Sequence, residues 1–277
     1  MITERKFVME IKTLSLTNGK QTTQASLTAY LQTPTPKAPV QAFPALIFVP
    51  GGSMTHIPEE ESEKTALTFA ALGYQVFILR YSFVGEATPL YPAPLLDLAQ
   101  AVSLVHHHED SWHLNGKVAV MGFSAGGQVV ALYNDYWQST WLGEEIGLTE
   151  AERHFDAAVL GYPVIDLDLG FPDEATLTKW TDDPAKYNAS HHVNQANRPT
   201  FTWATVTDPL ITVQNSLNYV QALQRENISQ EIHLFDGGPH AMDVATDLVG
   251  PTVEPHKPHV HHWVTLADEW LTQTLSL

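Results

Sequence analysis

Residues 117 to 126 read Lys-Val-Ala-Val-Met-Gly-Phe-Ser-Ala-Gly, and this stretch decides the fold. An apolar run precedes the pattern Gly-x-Ser-x-Gly at 122–126, and a helix-like stretch, Gly127 to Trp137, follows it. A serine between a strand and a helix in this pattern is typical of a nucleophile elbow, a sharp turn that exposes the hydroxyl above the sheet. Glycines at 122 and 126 keep bulk out of the strained corner. We expect Ser124 to be a nucleophile; the alternative is a glycine-rich turn with a solvated serine.

The segments around this stretch predict a mainly parallel sheet with helices on both faces. Alternating residues at 7–16 and 25–32 flank the turn signal Thr17-Asn18-Gly19-Lys20 and indicate an antiparallel hairpin. Continuous apolar runs, typical of strands covered on both faces, come next. They lie at 45–49, 74–79, 118–121, 157–160, 201–206 and 232–235, with helical spacing at 60–72, 95–108, 125–137, 213–226 and 262–275. The alternation of strands and helices indicates a doubly wound α/β fold.

Two long connections interrupt this alternation. The chain has 277 residues, which we interpret as a single domain, 1–277, with insertions near 138–155 and 163–199. Long connections in compact domains are usually lids or binding loops, and both leave the sheet near the edge where ligands bind. Their aromatic residues either wall an apolar pocket or pin a small cap onto the body; these are Trp137, Trp141, Phe171, Trp180 and Tyr187.

The composition of the chain limits the kinds of molecule that we expect it to bind. Lys and Arg total 14 against 31 Asp and Glu, a formal net charge of -17 that repels nucleic acid and anionic membrane surfaces. The chain has no cysteine, hence no disulfide framework and no thiolate metal site. Its first residues carry charges throughout, unlike a signal peptide, and no apolar stretch approaches the ~20 residues of a membrane span. The expected location is the cytoplasm.

An acid and a base for Ser124 can be chosen from strand ends. A serine hydroxyl needs an imidazole to take its proton, and that imidazole needs a carboxylate to fix its tautomer. In this kind of fold the order along the chain is Ser, Asp or Glu, then His. Asp208 follows the apolar run 201–206, and His240 follows the next run after a short turn. We prefer Asp208 to Asp236 and Asp243, which flank His240 in sequence.

The developing oxyanion needs backbone N–H donors, each worth about 3 to 4 kcal/mol of transition-state stabilisation. One donor is expected from Ala125, the residue after the nucleophile. The others are expected from Gly52 and Ser53, in the glycine-containing loop after the strand at 45–49.

Taken together, these motifs resemble the α/β-hydrolases of the bacterial carboxylesterase group that contains acetylxylan-esterase-like and feruloyl-esterase-like enzymes, related to the hormone-sensitive-lipase-like esterases. The chain departs from that group in its oxyanion loop, where Ser53 and Met54 stand in place of a third glycine and an aromatic residue. The matching segments are 48–53, 72–77, Tyr81, 94–99, 122–127, 161–163, 199–208 and 233–240.

The resemblance implies a serine carboxylesterase that hydrolyses short-acyl, acetyl-like esters through an acyl-enzyme. Met54, Tyr81 and Trp180 are predicted to contact the substrate, a small-molecule ester. No cofactor is expected, and a homodimer is left open. A serine peptidase or amidase on the same fold is the alternative function. The histidines at 106–108 and at 256, 259, 261 and 262 are interpreted as surface loops, because a metal site also needs fixed geometry and usually a carboxylate or thiolate.

Overall fold

A computed structural model of the chain describes residues 9–18, 21–250 and 254–277. Within these ranges eight strands form one sheet in the order β1-β2-β4-β3-β5-β6-β7-β8. The strand β2 pairs antiparallel with β1 and β4, and all the other neighbours are parallel. This confirms the mainly parallel sheet with an N-terminal hairpin. The strands are β1 (Met9–Asn18), β2 (Gln21–Gln32), β3 (Phe43–Val49), β4 (Gln75–Arg80), β5 (Leu114–Phe123), β6 (Ala157–Gly161), β7 (Thr200–Thr205) and β8 (Gln230–Phe235).

Helices follow the strands as the spacing predicts. The five helices expected from the sequence are present, and three short ones join them in loops. They are α1 (Glu59–Ala71), α2 (Ala93–His107), α3 (Ser124–Tyr136), α4 (Thr140–Ile146), α5 (Glu174–Trp180), α6 (Gln214–Arg225), α7 (Lys257–Val260) and α8 (His262–Leu275). None of the helices in the described ranges is long and apolar enough to cross a membrane. Of the predicted hairpin turn, Gly19 and Lys20 lie outside the described residues, as do residues 1–8.

The sheet separates two apolar cores. Along β3, Ala45, Ile47 and Val49 face one core, while Leu46 and Phe48 face the other. Successive strand residues point to opposite faces, so a strand with helices on both sides must be apolar at every position. The helices α2, α3 and α6 cover the first face, and α1 and α8 cover the second. The unbroken apolar runs in the sequence are therefore the direct result of this two-sided burial.

The two insertions pack onto α3. The first contains α4 and a 3₁₀ turn, and the second contains α5 and two 3₁₀ turns. The Trp137 indole donates a hydrogen bond to the Ala196 carbonyl at 2.8 Å, and the Tyr136 hydroxyl donates to the Lys186 carbonyl at 2.8 Å. The side chains of Trp137, Trp180 and Tyr187 are buried in the first core. The aromatic residues of the insertions thus fasten these segments to the body of the protein.

Candidate active site

Ser124 lies at the turn between β5 and α3. Its φ is +51°, a left-handed conformation that a non-glycine residue adopts only where its surroundings impose it. A Cβ on Gly126 would collide with the carbonyl oxygens of Val49 and Pro50, and one on Gly122 would collide with the Gly126 carbonyl. The two glycines of the motif are thus required by close backbone approach. The turn fixes the serine at the carboxyl edge of the sheet.

The structure brings Ser124, His240 and Asp208 into one hydrogen-bonded series. The distance from His240 Nε2 to Ser124 Oγ is 2.8 Å, and that from His240 Nδ1 to Asp208 Oδ2 is 2.7 Å. A carboxylate can only accept a hydrogen bond, so Nδ1 carries the proton and donates a hydrogen bond to Asp208. The lone pair of Nε2 therefore faces the serine hydroxyl. The Asp208 side chain is 1% exposed and that of His240 is 14% exposed. The imidazole is therefore held in the tautomer that can take a proton from Ser124.

Neighbouring backbone also fixes Asp208. Its Oδ1 accepts hydrogen bonds from the backbone N–H groups of Leu210 and Ile211, both at 2.9 Å. These bonds leave Oδ2 to face His240. Of the two competing carboxylates, Asp236 is exposed, and Asp243 accepts a hydrogen bond from the Tyr162 hydroxyl at 3.2 Å. The imidazole is hydrogen-bonded by the neighbouring strand end, β7, and not by its own loop.

The loop after β3 runs past Ser124. A Cβ built on Gly51 would lie 3.1 Å from the Cβ of Ser124. Gly52, Ser53 and Met54 all have positive φ, of +118°, +53° and +59°. No acceptor within the described ranges takes the backbone N–H of Gly52 or Ser53. Ala125 lies in the first turn of α3, where N–H groups have no partner inside the helix. The N–H groups of Gly52 and Ser53 therefore lack an acceptor within the described ranges, in a loop that passes Ser124 at Gly51, and their role as oxyanion donors stays a prediction.

The three residues predicted to contact substrate lie inside the protein. Met54, Tyr81 and Trp180 are each 0% exposed and belong to the first core. The Tyr81 hydroxyl donates to the Pro50 carbonyl at 3.1 Å, and the Met54 carbonyl accepts from the Val84 N–H at 2.8 Å. These contacts hold the loop at 50–56 against the interior of the protein. Direct contact of the three side chains with a substrate stays a prediction.

Tyr162 and Asp243 lie beside His240; the sequence offered Asp243 only as a competitor of Asp208 and assigned Tyr162 no role. The Tyr162 ring is nearly perpendicular to the imidazole, with centroids 4.9 Å apart and an interplanar angle of 76°. The pKa of the Tyr162 hydroxyl is raised well above its ordinary value, mainly by burial and further by the charge of Asp243. Burial also raises the pKa of Asp243 to about 6. The position of Tyr162, directly after β6 at the carboxyl edge of the sheet, is the signal that could have found it.

Three histidines of the two clusters, His106, His261 and His262, bind the protein backbone. Ring nitrogens of His106 and His262 donate to the carbonyls of His154 and His259, each at 2.8 Å, and His261 Nδ1 donates to the Val244 carbonyl. Among the residues that the structure describes, no three His, Asp or Glu side chains are grouped so as to hold a metal ion. These imidazoles thus serve as hydrogen-bond donors in loops and at helix ends.

Comparison with known proteins agrees with this architecture. The BD-FAE family model matches residues 31–223, more than half of the chain. The carboxylesterase Cest-2923 of Lactobacillus plantarum WCFS1 is 28% identical with a TM-score of 0.89, over 96% of this chain and 98% of that one. A protein of the same organism assigned as a carboxylesterase is 41% identical with a TM-score of 0.78, over the same shares of the two chains.

The names of two further relatives include a substrate. The acetyl ester-xyloside bifunctional hydrolase of Caldicellulosiruptor lactoaceticus is 26% identical with a TM-score of 0.72, over 90% of this chain and 88% of that one. Endo-1,4-beta-xylanase B of Butyrivibrio fibrisolvens is 26% identical over 209 residues, 73% of this chain but only 33% of that protein. The chain thus spans about a third of that relative's length. By its family match and its structural neighbours, the chain belongs to the BD-FAE family and has the α/β-hydrolase fold of carboxylesterase-type hydrolases.

Proposed function

We propose that the protein is a serine carboxylesterase whose nucleophile is Ser124. The observation that carries the proposal is the hydrogen-bonded series from Ser124 Oγ through His240 to Asp208, at 2.8 Å and 2.7 Å. A nucleophile within hydrogen-bond reach of a base, with the base oriented by a third group, is the geometry that activates a serine hydroxyl. Ser124 has a left-handed backbone conformation, and its hydroxyl faces this base.

Acylation begins when Ser124 Oγ attacks the ester carbonyl carbon while its proton passes to His240 Nε2. The charge that forms on the imidazole is stabilised by the Asp208 carboxylate, which is buried and hydrogen-bonded to Nδ1. The oxygen of the tetrahedral intermediate accepts hydrogen bonds from the N–H groups of Ala125, Gly52 and Ser53. Each such donor lowers the barrier by about 3 to 4 kcal/mol, because it is already oriented toward the charge that develops.

The intermediate collapses when His240 donates the Nε2 proton to the leaving alcohol oxygen, and the carbon–oxygen bond of the ester breaks. Water then attacks the acyl-serine, gives its proton to His240 Nε2, and the proton returns to Ser124 Oγ as the acid leaves. Each step moves one proton between the same nitrogen and an oxygen on the reacting carbon.

We further propose short acyl groups, such as acetyl, as substrates. Support comes from the family match and from the structural similarity to a hydrolase that acts on acetyl esters. Acetate, butyrate and octanoate esters of p-nitrophenol share one leaving group, so their kcat/KM values isolate the acyl preference. We expect a decline with chain length, and a maximum at octanoate would contradict the acyl assignment.

The serine mechanism is tested by Ser124→Ala. Turnover of p-nitrophenyl acetate should fall by ~10⁴ or more, as it does when a member of such a unit is deleted. Labelling by a fluorophosphonate, detected as a mass increase on the peptide containing residue 124, should disappear with it. Ser111→Ala, at an exposed serine, is the control and should retain both. A matched p-nitroanilide separates esterase from amidase action, because equal turnover of anilide and ester would favour the amidase.

A further inference from the structure

The imidazole of His240 has a third neighbour besides Ser124 and Asp208. The Tyr162 ring contacts it at a centroid distance of 4.9 Å, with the two planes at 76°. The Tyr162 hydroxyl donates to Asp243 Oδ1 at 3.2 Å. Both side chains are buried, Tyr162 at 4% and Asp243 at 7% exposure. The imidazole of His240 therefore packs against the Tyr162 ring, whose hydroxyl is hydrogen-bonded to a second carboxylate, that of Asp243.

The backbone around this pair adopts uncommon conformations that its neighbours hold in place. Tyr162 has φ +36° and Asp243 has φ +47°, both in the left-handed region. The Tyr162 N–H donates to the Trp203 carbonyl at 2.7 Å, and the Trp263 indole donates to the Asp243 carbonyl at 2.8 Å. Left-handed non-glycine residues cost free energy and persist where the surroundings over-determine them, often at functional sites. The strands and α8 thus present the tyrosine ring to His240.

We propose that Tyr162 and Asp243 are positioning residues for the base, keeping the His240 ring aimed at Ser124 while its proton is transferred. The inference rests on the proposed serine mechanism and adds two residues to it. The covalent Cβ–Cγ bond and the two hydrogen bonds hold the imidazole, but hydrogen bonds tolerate angular deviation, so the ring can still tilt about the axis that joins its nitrogens. A perpendicular ring against its side opposes that rotation, and the hydrogen bond to Asp243 fixes the perpendicular ring in turn.

Charge gives this arrangement a second effect. The groups that face Asp243 are Tyr162 after β6, His240 on its own loop and Glu61 on α1. Burial is the largest cause that raises the pKa of Asp243 to about 6; Tyr162 and His240 act in the opposite direction, and Glu61 reinforces the rise. Asp208 also faces Tyr162, and the pKa of Tyr162 is raised, so this hydroxyl stays protonated near neutral pH. Above pH 6 Asp243 therefore carries a negative charge next to the Tyr162 hydroxyl.

The test compares Tyr162→Phe and Asp243→Asn with the wild type. Tyr162→Phe removes one oxygen and leaves the ring, so the imidazole loses only the fixation that comes from Asp243. We expect kcat for p-nitrophenyl acetate to fall about 10-fold with KM within twofold, since a small misplacement of a reacting group lowers the rate strongly. Asp243→Asn keeps the shape of the side chain and removes its charge, and it should likewise lower kcat with KM within twofold.

The control is Tyr133→Phe. Its hydroxyl donates to the Arg153 carbonyl at 2.7 Å and is equally buried, but it lies about 14 Å along α3 from Ser124. This variant should keep the wild-type kcat and pH profile. Rates are divided by the number of active sites labelled by a fluorophosphonate, so a variant that folds poorly lowers the count and not the rate per site. If Asp243→Asn does not fold, Tyr162→Phe decides alone.

A wild-type kcat in Tyr162→Phe would overturn the inference. So would a loss of labelled sites with an unchanged rate per site, because that result means a role in folding only. Ser124→Ala is measured alongside. If it stays active, the proposed function fails and the inference with it; if it is inactive while both positioning variants behave as wild type, the inference alone fails.

Discussion

Asp208→Asn is the substitution for which the structure predicts the most defined loss. The two backbone N–H groups of Leu210 and Ile211, 2.9 Å from Oδ1, can only donate, so the asparagine oxygen must occupy that position. The amide nitrogen then replaces Oδ2 and faces His240 Nδ1, where the carboxylate lies 2.7 Å away in the native protein. Two donors would then point at each other, unless the imidazole moves its proton to Nε2.

That tautomer removes both proton-transfer roles of His240. With hydrogen on Nε2, the ring presents N–H to Ser124 and cannot accept the serine proton. A serine protease with the same wrong-tautomer substitution loses about 10⁴ in kcat, which corresponds to ~5.5 kcal/mol of transition-state free energy. We expect the same order of loss here. Shape is conserved and a neutral hydrogen bond replaces the charged one, so the free energy of unfolding should change by only about 1 kcal/mol.

The assay is steady-state hydrolysis of p-nitrophenyl acetate, together with urea unfolding of the same preparations. Asp236→Asn is the matched control, because this exposed carboxylate precedes His240 on its own loop. It should keep kcat within twofold. A kcat within tenfold of the wild type for Asp208→Asn, or an equal loss in Asp236→Asn, would refute the assignment of Asp208 as the residue that orients the base.

Three further substitutions test packing and burial. Gly126→Ala should lower the Tm by about 6 °C or more, or prevent folding, since its Cβ would overlap the Val49 carbonyl; a Tm within 2 °C of the wild type contradicts this. Asn215→Ala leaves two buried N–H groups without the acceptor they now share at 2.9 and 3.0 Å, so urea unfolding should show a loss of about 3 kcal/mol, against less than about 0.5 for the exposed Gln214→Ala. Burial raises the pKa of Asp97 from 3.8 to about 6, so the folded state binds this proton more tightly than the unfolded state does. The free energy of unfolding therefore falls by about 3 kcal/mol as the pH rises from below 3.8 to above 6. Asp97→Asn should remove that share of the pH dependence between pH 4 and 7.5, and an unchanged dependence would disprove it.

Strand and helix positions were predictable because burial on both faces leaves a plain trace in sequence. The run at 157–160 and the strand β6 differ by one residue, and the stretch at 262–275 is α8 itself. That Ser124, Asp208 and His240 lie together was predictable for a related reason. Each follows a recognisable strand, and parallel strands end at the same edge of the sheet.

The contacts around these residues were harder to predict from the sequence. Met54, Tyr81 and Trp180 were selected from loops and strand ends, yet the fold buries all three. The position of Tyr162 after β6 places it at the edge of the sheet that holds the site, but no local pattern indicates contact with His240, which lies 78 positions further along the chain. A local pattern records whether a residue belongs to a strand or a helix, whereas the partner of a side chain depends on how distant elements cross.

The sequence by itself determined the order of strands and helices, the strained serine turn and the Ser, Asp, His order. These depend on periodicity and on glycine positions, which act over a few residues. Only the tertiary structure decided which oxygen of Asp208 faces His240, which tyrosine packs against the imidazole, and whether the aromatic residues of the insertions line a cavity or fasten a cap. Those outcomes depend on distances between residues far apart in the chain, and packing of the complete sheet with its helices sets such distances.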